Sequence, residues 1–369
     1  MLATTTTSLA YLIFAITAVG WIVYFVLNKS SARAELGSEI ELAPNRKPYY
    51  DDETLEGPRL ERMQMLGVLL LAVSVIGLPL YWIFEPDRQA GATVHRREEF
   101  ERWGADLFDV TANGGFNCAG CHGGMNAGGG QAPYAITDPT TGEVKPVNWY
   151  APSLNTVFYR YSEEEVTFIL NYGRPFSPMS AWGAPGGGPM TTQNIETLIA
   201  YLHSIQVEPV GCIDPDPFVK SAGIAKGSVC VGGELPLDKQ DEIAAAATKA
   251  AQALVDANKY ATVDAAMGEA LFNLDLNSGA YSCARCHTQG WSYGEPGVSG
   301  QGAFGWNLTA GSVNSHFPNE VDMINFIKAG SVNGARYGAQ SQGSGRMPGF
   351  GAVLTDDQIK KIVEYVRSL

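Results

Sequence analysis

A repeated five-residue pattern constrains this chain more than any other feature. The pattern Cys-x-x-Cys-His occurs at residues 118–122 and again at residues 283–287, 165 positions later. Each copy follows a similar segment, Trp-Gly-Ala-Asp-Leu-Phe at 103–108 or Met-Gly-Glu-Ala-Leu-Phe at 267–272. Self-similarity at a fixed spacing indicates repeated structural units. The sequence therefore predicts two similar domains, one after the other.

Each repeat also closes with an apolar segment of helical spacing, at residues 195–202 and 359–366. Thr191 or Thr192 in the first repeat and Thr355 in the second stand where a helix cap is expected. Long loops rich in Gly and Pro separate the predicted helices. Such loops bury little apolar surface for the backbone entropy that they lose. We therefore predict small helical domains, each built around a large apolar cofactor.

The Cys-x-x-Cys-His pattern itself carries a mechanism. Two thiols at this spacing each add to a vinyl group of haem, and the adjacent histidine then lies under the iron. A zinc ribbon needs two close cysteine pairs, whereas Cys121 and Cys283 are 162 positions apart. A thioredoxin-like pair needs a βαβ pattern, which is missing. The pattern predicts two covalently attached haem c groups with their iron, bound by Cys118, Cys121, His122, Cys283, Cys286 and His287.

A second iron ligand is expected on the opposite side of each haem, and methionine raises the reduction potential there. Met347 lies in a Gly/Pro loop at 345–351 shortly before the last helix, and Met179 lies in a similar loop at 173–183. Met190 is the alternative in the first repeat, although Leu354 occupies the matching position of the second. The remaining histidines, His95, His203 and His316, leave paired histidine ligands as a further alternative.

The N-terminal region has the composition of membrane helices. No charged residue occurs at 9–27 or at 63–84, and about 20 apolar residues span a bilayer. Buried core helices and, for the first stretch, a cleaved signal peptide are the alternatives. Basic residues gather in the connecting segment, which predicts that it faces the cytoplasm. We thus expect a two-pass anchor in the plasma membrane, with the N-terminus and the haem domains on the extracytoplasmic (periplasmic) side. The residues that set this orientation are Lys29, Arg33, Arg46, Lys47, Arg59 and Arg62.

A segment from about residue 206 to 256 matches neither repeat. It holds Cys212 and Cys230, for which we predict a disulfide because cysteines outside the cytoplasm are commonly bonded, with two buried thiols as the alternative. An alanine-rich run at 244–253 predicts a helix. The domain prediction is then an anchor at 1–90, a first haem domain at 91–206, a linker at 207–257 and a second haem domain at 258–369. A net charge of −13 argues against a nucleic-acid partner.

With these motifs in place, both repeats resemble class I cytochrome c domains, over about residues 94–204 and 263–369. The resemblance implies an all-α fold, an N-terminal transmembrane hairpin followed by two such domains. It also implies that a loop carbonyl accepts the free ring N–H of each iron-ligand histidine, and Pro152 and Trp306 are the candidates. Arg174 and Arg346 are candidate partners for the haem propionates.

Histidine and methionine together leave the iron no open position, which favours relay of single electrons over chemistry on a small-molecule substrate. The chain resembles the dihaem subunit of cytochrome bcc-type quinol reductases, which implies a non-catalytic subunit of a respiratory complex. Its partners would be cytochrome b, a Rieske protein and possibly oxidase subunits, and electrons would pass toward a terminal oxidase. The alternatives are the dihaem subunit of a cbb-type oxidase, a dihaem peroxidase and a free-standing membrane electron shuttle.

Overall fold

The computed structural model describes residues 2–31, 58–138, 140–174, 177–211, 233–298, 305–331 and 347–369. The predicted disulfide partners Cys212 and Cys230 lie outside these residues, as does Arg346. The chain divides into two compact units, Met1–Thr93 and Val94–Leu369. The second unit contains both repeats.

The N-terminal unit consists of helix α1, Leu2–Ser31, and the larger part of helix α2, Pro58–Phe108. In the described part of the chain, one helical stretch, Leu60–Phe108, is long and apolar enough to cross a membrane, and its apolar window is not buried. The apolar run within α1, Phe14–Leu27, is shorter. One candidate span is therefore present, and the two-pass anchor stays a prediction.

Helix α2 continues past Pro79 and Pro86, both of which lie inside it. Proline removes one backbone donor and usually bends or ends a helix. The helix instead ends at Phe108, so the opening segment of the first repeat is its last part. A sequence read segment by segment does not show this continuity.

In its described residues, the first repeat contains five further α-helices and β-strands. A short helix carries the cysteine motif, a pair of strands follows it, and two amphipathic helices complete the repeat. These are α3, Cys118–His122; β1, Gly130–Thr137; β2, Val144–Ala151; α4, Glu163–Tyr172; and α5, Thr192–Ser204.

The linker contains the predicted helix α6, Leu237–Asp256, whose buried face is Ile243, Ala247 and Ala251. This prediction is confirmed. The second repeat then follows with a helical turn at Leu276–Gly279 and the helices α7, Val263–Phe272; α8, Ala284–His287; α9, Ser312–His316; α10, Glu320–Ala329; and α11, Asp356–Val366.

The closing helices α5 and α11 begin at the predicted caps. Thr191 accepts a hydrogen bond from the backbone N–H of Asn194, and the side-chain oxygen of Asn194 accepts one from the backbone N–H of Thr191. Thr355 and Gln358 repeat this reciprocal arrangement. Such a cap satisfies two of the free amides at a helix start. Thr191, rather than Thr192, is the cap of the first repeat.

The opening and closing helices of each repeat cross at a glycine. A side-chain carbon at Gly104 would lie 1.9 Å from the backbone oxygen of Thr197, and one at Gly268 would lie 2.3 Å from that of Lys361. Only glycine permits such close approach of two helix backbones. The glycines of the two opening segments therefore mark the same contact in both repeats.

The expectation of an all-α fold is wrong in one place, although the molecule is mostly helical. Strands β1 and β2 form an antiparallel hairpin in register from Gly130 opposite Ala151 to Thr137 opposite Val144. Pro133 and Pro146 lie within these strands, and proline usually argues against a strand. A two-stranded ribbon tolerates them because each strand has a free edge.

The hairpin buries its inner face against the second repeat. Ala132, Ile136 and Trp149 from the hairpin form a buried apolar cluster with Tyr293, and we call these four residues the hairpin cluster. The rings of Trp149 and Tyr293 lie 5.5 Å apart, and those of Tyr150 and Trp291 lie 5.6 Å apart. The two repeats consequently share an apolar interface.

Candidate functional site

A single large cavity contains the predicted site residues of both repeats. Its volume is about 1290 Å³, and all four motif cysteines, both motif histidines, Met179 and Met347 line it. Pockets for one drug-sized ligand typically have a volume of about 300–1,000 Å³. The cavity is thus larger than one such ligand needs, and it extends across both repeats.

The two motif histidines are held in the same way. His122 Nδ1 donates to the carbonyl oxygen of Pro152 at 2.9 Å, and His287 Nδ1 donates to that of Trp306 at 2.7 Å. These are the two carbonyls that the resemblance proposed. With Nδ1 occupied as a donor, Nε2 of each ring remains available for a metal ion.

Burial keeps both imidazoles neutral. It lowers the pKa of His122 to about 4, against an opposing effect of the hydrogen bond to Pro152. Burial also lowers the pKa of His287, and the bond to Trp306 opposes that shift. A metal ligand must be the neutral ring, so both side chains are ready to bind iron at physiological pH.

The four motif cysteines are not in disulfides. Burial raises the pKa of Cys118 to about 11 and that of Cys283 to about 12. Cys121 and Cys286 pack against the hairpin cluster from the two repeats. The second thiol of each motif therefore points toward the interface between the repeats.

The predicted methionine loops have equivalent backbone connections. The N–H of Arg174 donates to the carbonyl of Met179 at 2.7 Å, and the N–H of Ser331 donates to that of Met347 at 3.0 Å. The residue three positions after each methionine also donates its backbone N–H to the last turn of the preceding helix. The N–H of Trp182 donates to the carbonyl of Leu170, and the N–H of Phe350 donates to that of Ile327. Met179 is thus the structural counterpart of Met347.

Met190 has a different place. It is fully buried in the apolar core of the first repeat and does not line the cavity. Its counterpart by sequence, Leu354, is also a buried core residue. These positions agree with a packing role for Met190.

The other histidines lie apart from the iron-binding arrangement. His203 stacks on Phe158 at 3.8 Å, and its Nε2 is 3.1 Å from a Glu163 carboxylate oxygen. His95 is exposed beside Glu99. His316 does line the cavity, but its ring lies 5.6 Å from that of Trp306, the residue that receives the His287 hydrogen bond.

Sequence reasoning missed two arginines at this site. Arg160 and Arg285 line the cavity together with the expected Arg174. Arg160 is almost completely buried, and its Nε has no hydrogen-bond partner among the described residues. Burial lowers the pKa of Arg285 to about 10. The sequence offered one signal for Arg285, a charged residue between two cysteines, but none for Arg160.

Two protein-family models match the chain. The model described as cytochrome c matches residues 103–206, and the model described as cytochrome c oxidase, cbb3-type, subunit III, matches residues 264–366. The chain carries two cytochrome c domains. The matches coincide with the two repeats, which we now call the first and second cytochrome c domains. A comparison with curated proteins found no significant match, and a comparison with solved structures found none.

Cytochrome c domains imply haem c and its iron, and the residues present fit that group. Each cavity region offers two thiols free of disulfides, an imidazole fixed through Nδ1 and a methionine loop. The unpartnered Arg160 Nε supplies a cation for a carboxylate. Haem iron carries single electrons, so the chain is an electron-transport protein.

Proposed function

We propose that the chain is a membrane-anchored dihaem electron-transfer subunit of a respiratory complex and is not an enzyme by itself. The observation that carries the proposal is the common cavity, which the cysteines, histidine and methionine of both domains line. Iron in haem c supplies one-electron oxidation and reduction. The protein's part is to hold one such group in each domain and to keep small-molecule substrates from the iron.

In this proposal Cys118 and Cys121 attach the first haem, and His122 and Met179 ligate its iron. Cys283, Cys286, His287 and Met347 do the same for the second. The support is the geometric equivalence of the two sets, which extends from the histidine carbonyl contacts to the methionine-loop hydrogen bonds.

We further propose that electrons pass from a quinol-oxidising cytochrome bc-type core, with cytochrome b and a Rieske protein as partners, toward a terminal oxidase. The cbb-type oxidase is the second candidate. The family match of residues 264–366 and the position of the anchor before the two haem domains both favour it.

The anchor in this proposal is a two-pass hairpin made by α1 and the first part of α2. The haem domains then lie on the extracytoplasmic side of the plasma membrane. The support is the uncharged stretch in each helix together with the basic residues between them. Labelling of Cys residues introduced singly at Thr5, Thr54 and Gln89 with a membrane-impermeant reagent tests it. Labelling of the position-54 cysteine in intact cells would contradict the topology.

Haem content is the first test of the site. The purified chain should carry two covalent haems per polypeptide, measured by the pyridine haemochrome spectrum together with intact mass. Replacement of both Cys118 and Cys121 by Ala should remove one haem, and the same replacement of the matched pair Cys283 and Cys286 should remove the other. Two haems surviving in either variant would contradict the assignment.

The complex is tested by gentle detergent extraction and mass spectrometry of the co-purified subunits. Cytochrome b with a Rieske protein supports the quinol reductase, whereas a copper- and haem-containing oxidase core without them supports the cbb-type oxidase. A chain that comes away alone supports an electron shuttle. Rapid reaction of the reduced protein with peroxide would instead indicate a dihaem peroxidase.

A further inference from the structure

Three arginines, Arg160, Arg174 and Arg285, line the cavity that the two domains share. The guanidinium carbons of Arg160 and Arg174 lie 5.8 and 5.4 Å from the ring centre of Tyr161, so both cations lie beside one aromatic ring. The Arg160 guanidinium also lies 5.9 Å from the ring centre of Tyr281, which belongs to the second domain. Arg160 therefore reaches the domain interface.

A chain of hydrogen bonds connects Arg160 to Arg285. Arg160 donates to the carbonyl of Ser153 at 3.2 Å, and the N–H of Ser153 donates across the interface to the carbonyl of Asn277 at 3.3 Å. Arg285 donates to the next carbonyl, that of Ser278, at 2.8 Å. Ser153 directly follows Pro152, which holds His122. Arg285 is thereby fixed near the histidine loop of the first domain, although it belongs to the motif of the second.

The backbone that receives Arg285 is strained. Asn277 and Ser278 both have left-handed backbone angles, with φ of 53° and 55°. These angles are unfavourable for residues other than glycine, and strain of this kind persists where the surrounding structure requires it. The two carbonyls of this turn are the ones that bind Ser153 and Arg285. The strained turn thus positions the contact between the domains.

The charges of Arg160 and Arg285 are not balanced within the described residues. Arg160 and Arg285 form no ion pair there, and Glu165 on the cavity wall is engaged by the Ser162 cap. Buried cations need a counter-charge. A haem carries two propionate carboxylates, and arginine binds a carboxylate with two parallel hydrogen bonds. Arg160 and Arg285 thus require what a bound haem supplies.

We propose that Arg285 of the second domain completes the carboxylate-binding site of the first haem, beside Arg160 and Arg174. This rests on the proposed function, because it requires a haem at each motif. The propionates of the first haem are then held by both domains, and one cation acts on the potentials of both irons.

The test is a redox titration of the full-length holoprotein in detergent, followed by absorption at each haem. Arg285→Gln should lower the potential of the first haem as well as that of the second. We expect the ferrous-to-ferric ratio of the first haem at fixed ambient potential to fall by about tenfold, equivalent to ~59 mV for one electron. Met347→Leu shifts the potential of the second haem. The step of the titration curve that moves in this variant is therefore assigned to the second haem, and the other step to the first.

Arg102→Gln is the matched control, because Arg102 is an exposed arginine that does not line the cavity. Arg285→Lys keeps the charge and should restore most of the first haem's potential, which a merely structural role would not do. If Arg285→Gln impairs attachment of the second haem, the potential of the first haem is still measured in that variant and compared with the potential of the first haem in Arg285→Lys.

A shift confined to the second haem, or no shift, would overturn the inference while leaving two haems in place. Failure of the proposed function would be recognised differently, because fewer than two covalent haems would then be found in the unaltered chain.

Discussion

The two cytochrome c domains reach the same histidine contact through loops of different length. Thirty positions separate His122 from Pro152, whereas nineteen separate His287 from Trp306. The longer loop contains the hairpin that packs on the second domain. Since the cofactor contact fixes only the ends of this loop, its middle is free to form another interface. The histidine site is thus the same in both domains, and the difference lies in how the first domain holds the second.

The arginines of the cavity also differ between the two domains. When α4 is aligned with α10, the positions of Arg160 and Arg174 are occupied in the second domain by the uncharged residues Phe317 and Ser331. Gly120 takes the place of Arg285 in the first motif. The three cations therefore belong to the interface and not to the repeated unit.

Among the changes that can be made at equivalent positions of both domains, the largest expected effect tests whether the two helix crossings are equivalent. Gly104→Ala and Gly268→Ala should each lower the free energy of unfolding by about 3 kcal/mol, because the added carbon would overlap backbone oxygen. Thermal unfolding followed by circular dichroism measures this. Gly91→Ala is the control, since it is a helical glycine with open space around it. A tolerated Gly104→Ala with a damaging Gly268→Ala would show that the crossings differ.

The next prediction concerns the methionine loops. Met179→Leu should lower the potential of the first haem at least as much as Met347→Leu lowers that of the second, more than about tenfold in the ferrous-to-ferric ratio at fixed ambient potential. Met190→Leu conserves volume in a core and should leave the potential unchanged, at a stability cost below about 1.5 kcal/mol. Spectroelectrochemistry decides the matter, and a large shift from Met190→Leu would reverse our ligand assignment.

The helix caps provide a smaller and symmetric test. Thr191→Ala and Thr355→Ala should each cost about 1 kcal/mol, because each removes one hydrogen bond to a free helix amide. Chemical denaturation with the two haem signals recorded separately measures the loss. Thr→Ser at either position keeps the oxygen and should cost less. Unequal losses would show that the two closing helices contribute differently.

The smallest effect is expected at the hairpin edge. Lys145 in β2 pairs with Glu295 of the second domain, and both side chains are partly exposed. Lys145→Met should lower the free energy of unfolding by about 0.5 kcal/mol, since solvent screens such pairs. Trp149→Ala, at the buried centre of the same interface, should cost about 3–5 kcal/mol by comparison. Equal losses would mean that the charge pair contributes as much as the apolar cluster to the contact between the domains.

Local patterns were sufficient to predict much of the site. The motif cysteines and histidines, the caps at Thr191 and Thr355, and the linker helix all depend on residues close in sequence. The repeat added a comparison between two copies, which made Met179 stand out from Met190. These features need no knowledge of which distant residues meet.

The β-hairpin and the arginines Arg160 and Arg285 could not be predicted in this way, because they depend on contacts between residues that are distant in sequence. Pro133 and Pro146 mask the alternation of the strands, and the strands are stable only because Tyr293 covers them. Arg160 and Arg285 are 125 positions apart, and charged residues are predicted at the surface unless a partner is known. Only the packing of one domain on the other places them together.

The β-hairpin precedes the residues that it contacts in the second domain by more than a hundred positions in the sequence. This separation sets the order in which the interface can form. Lys145 and Trp149 contact Glu295 and Tyr293, so their binding surface does not exist until the second motif has been synthesised. Domains generally fold from the N-terminus as the chain emerges. The interface side of the first domain, with Cys121 beside it, consequently stays open while the rest of the polypeptide is made, and it closes only when the second domain folds against it.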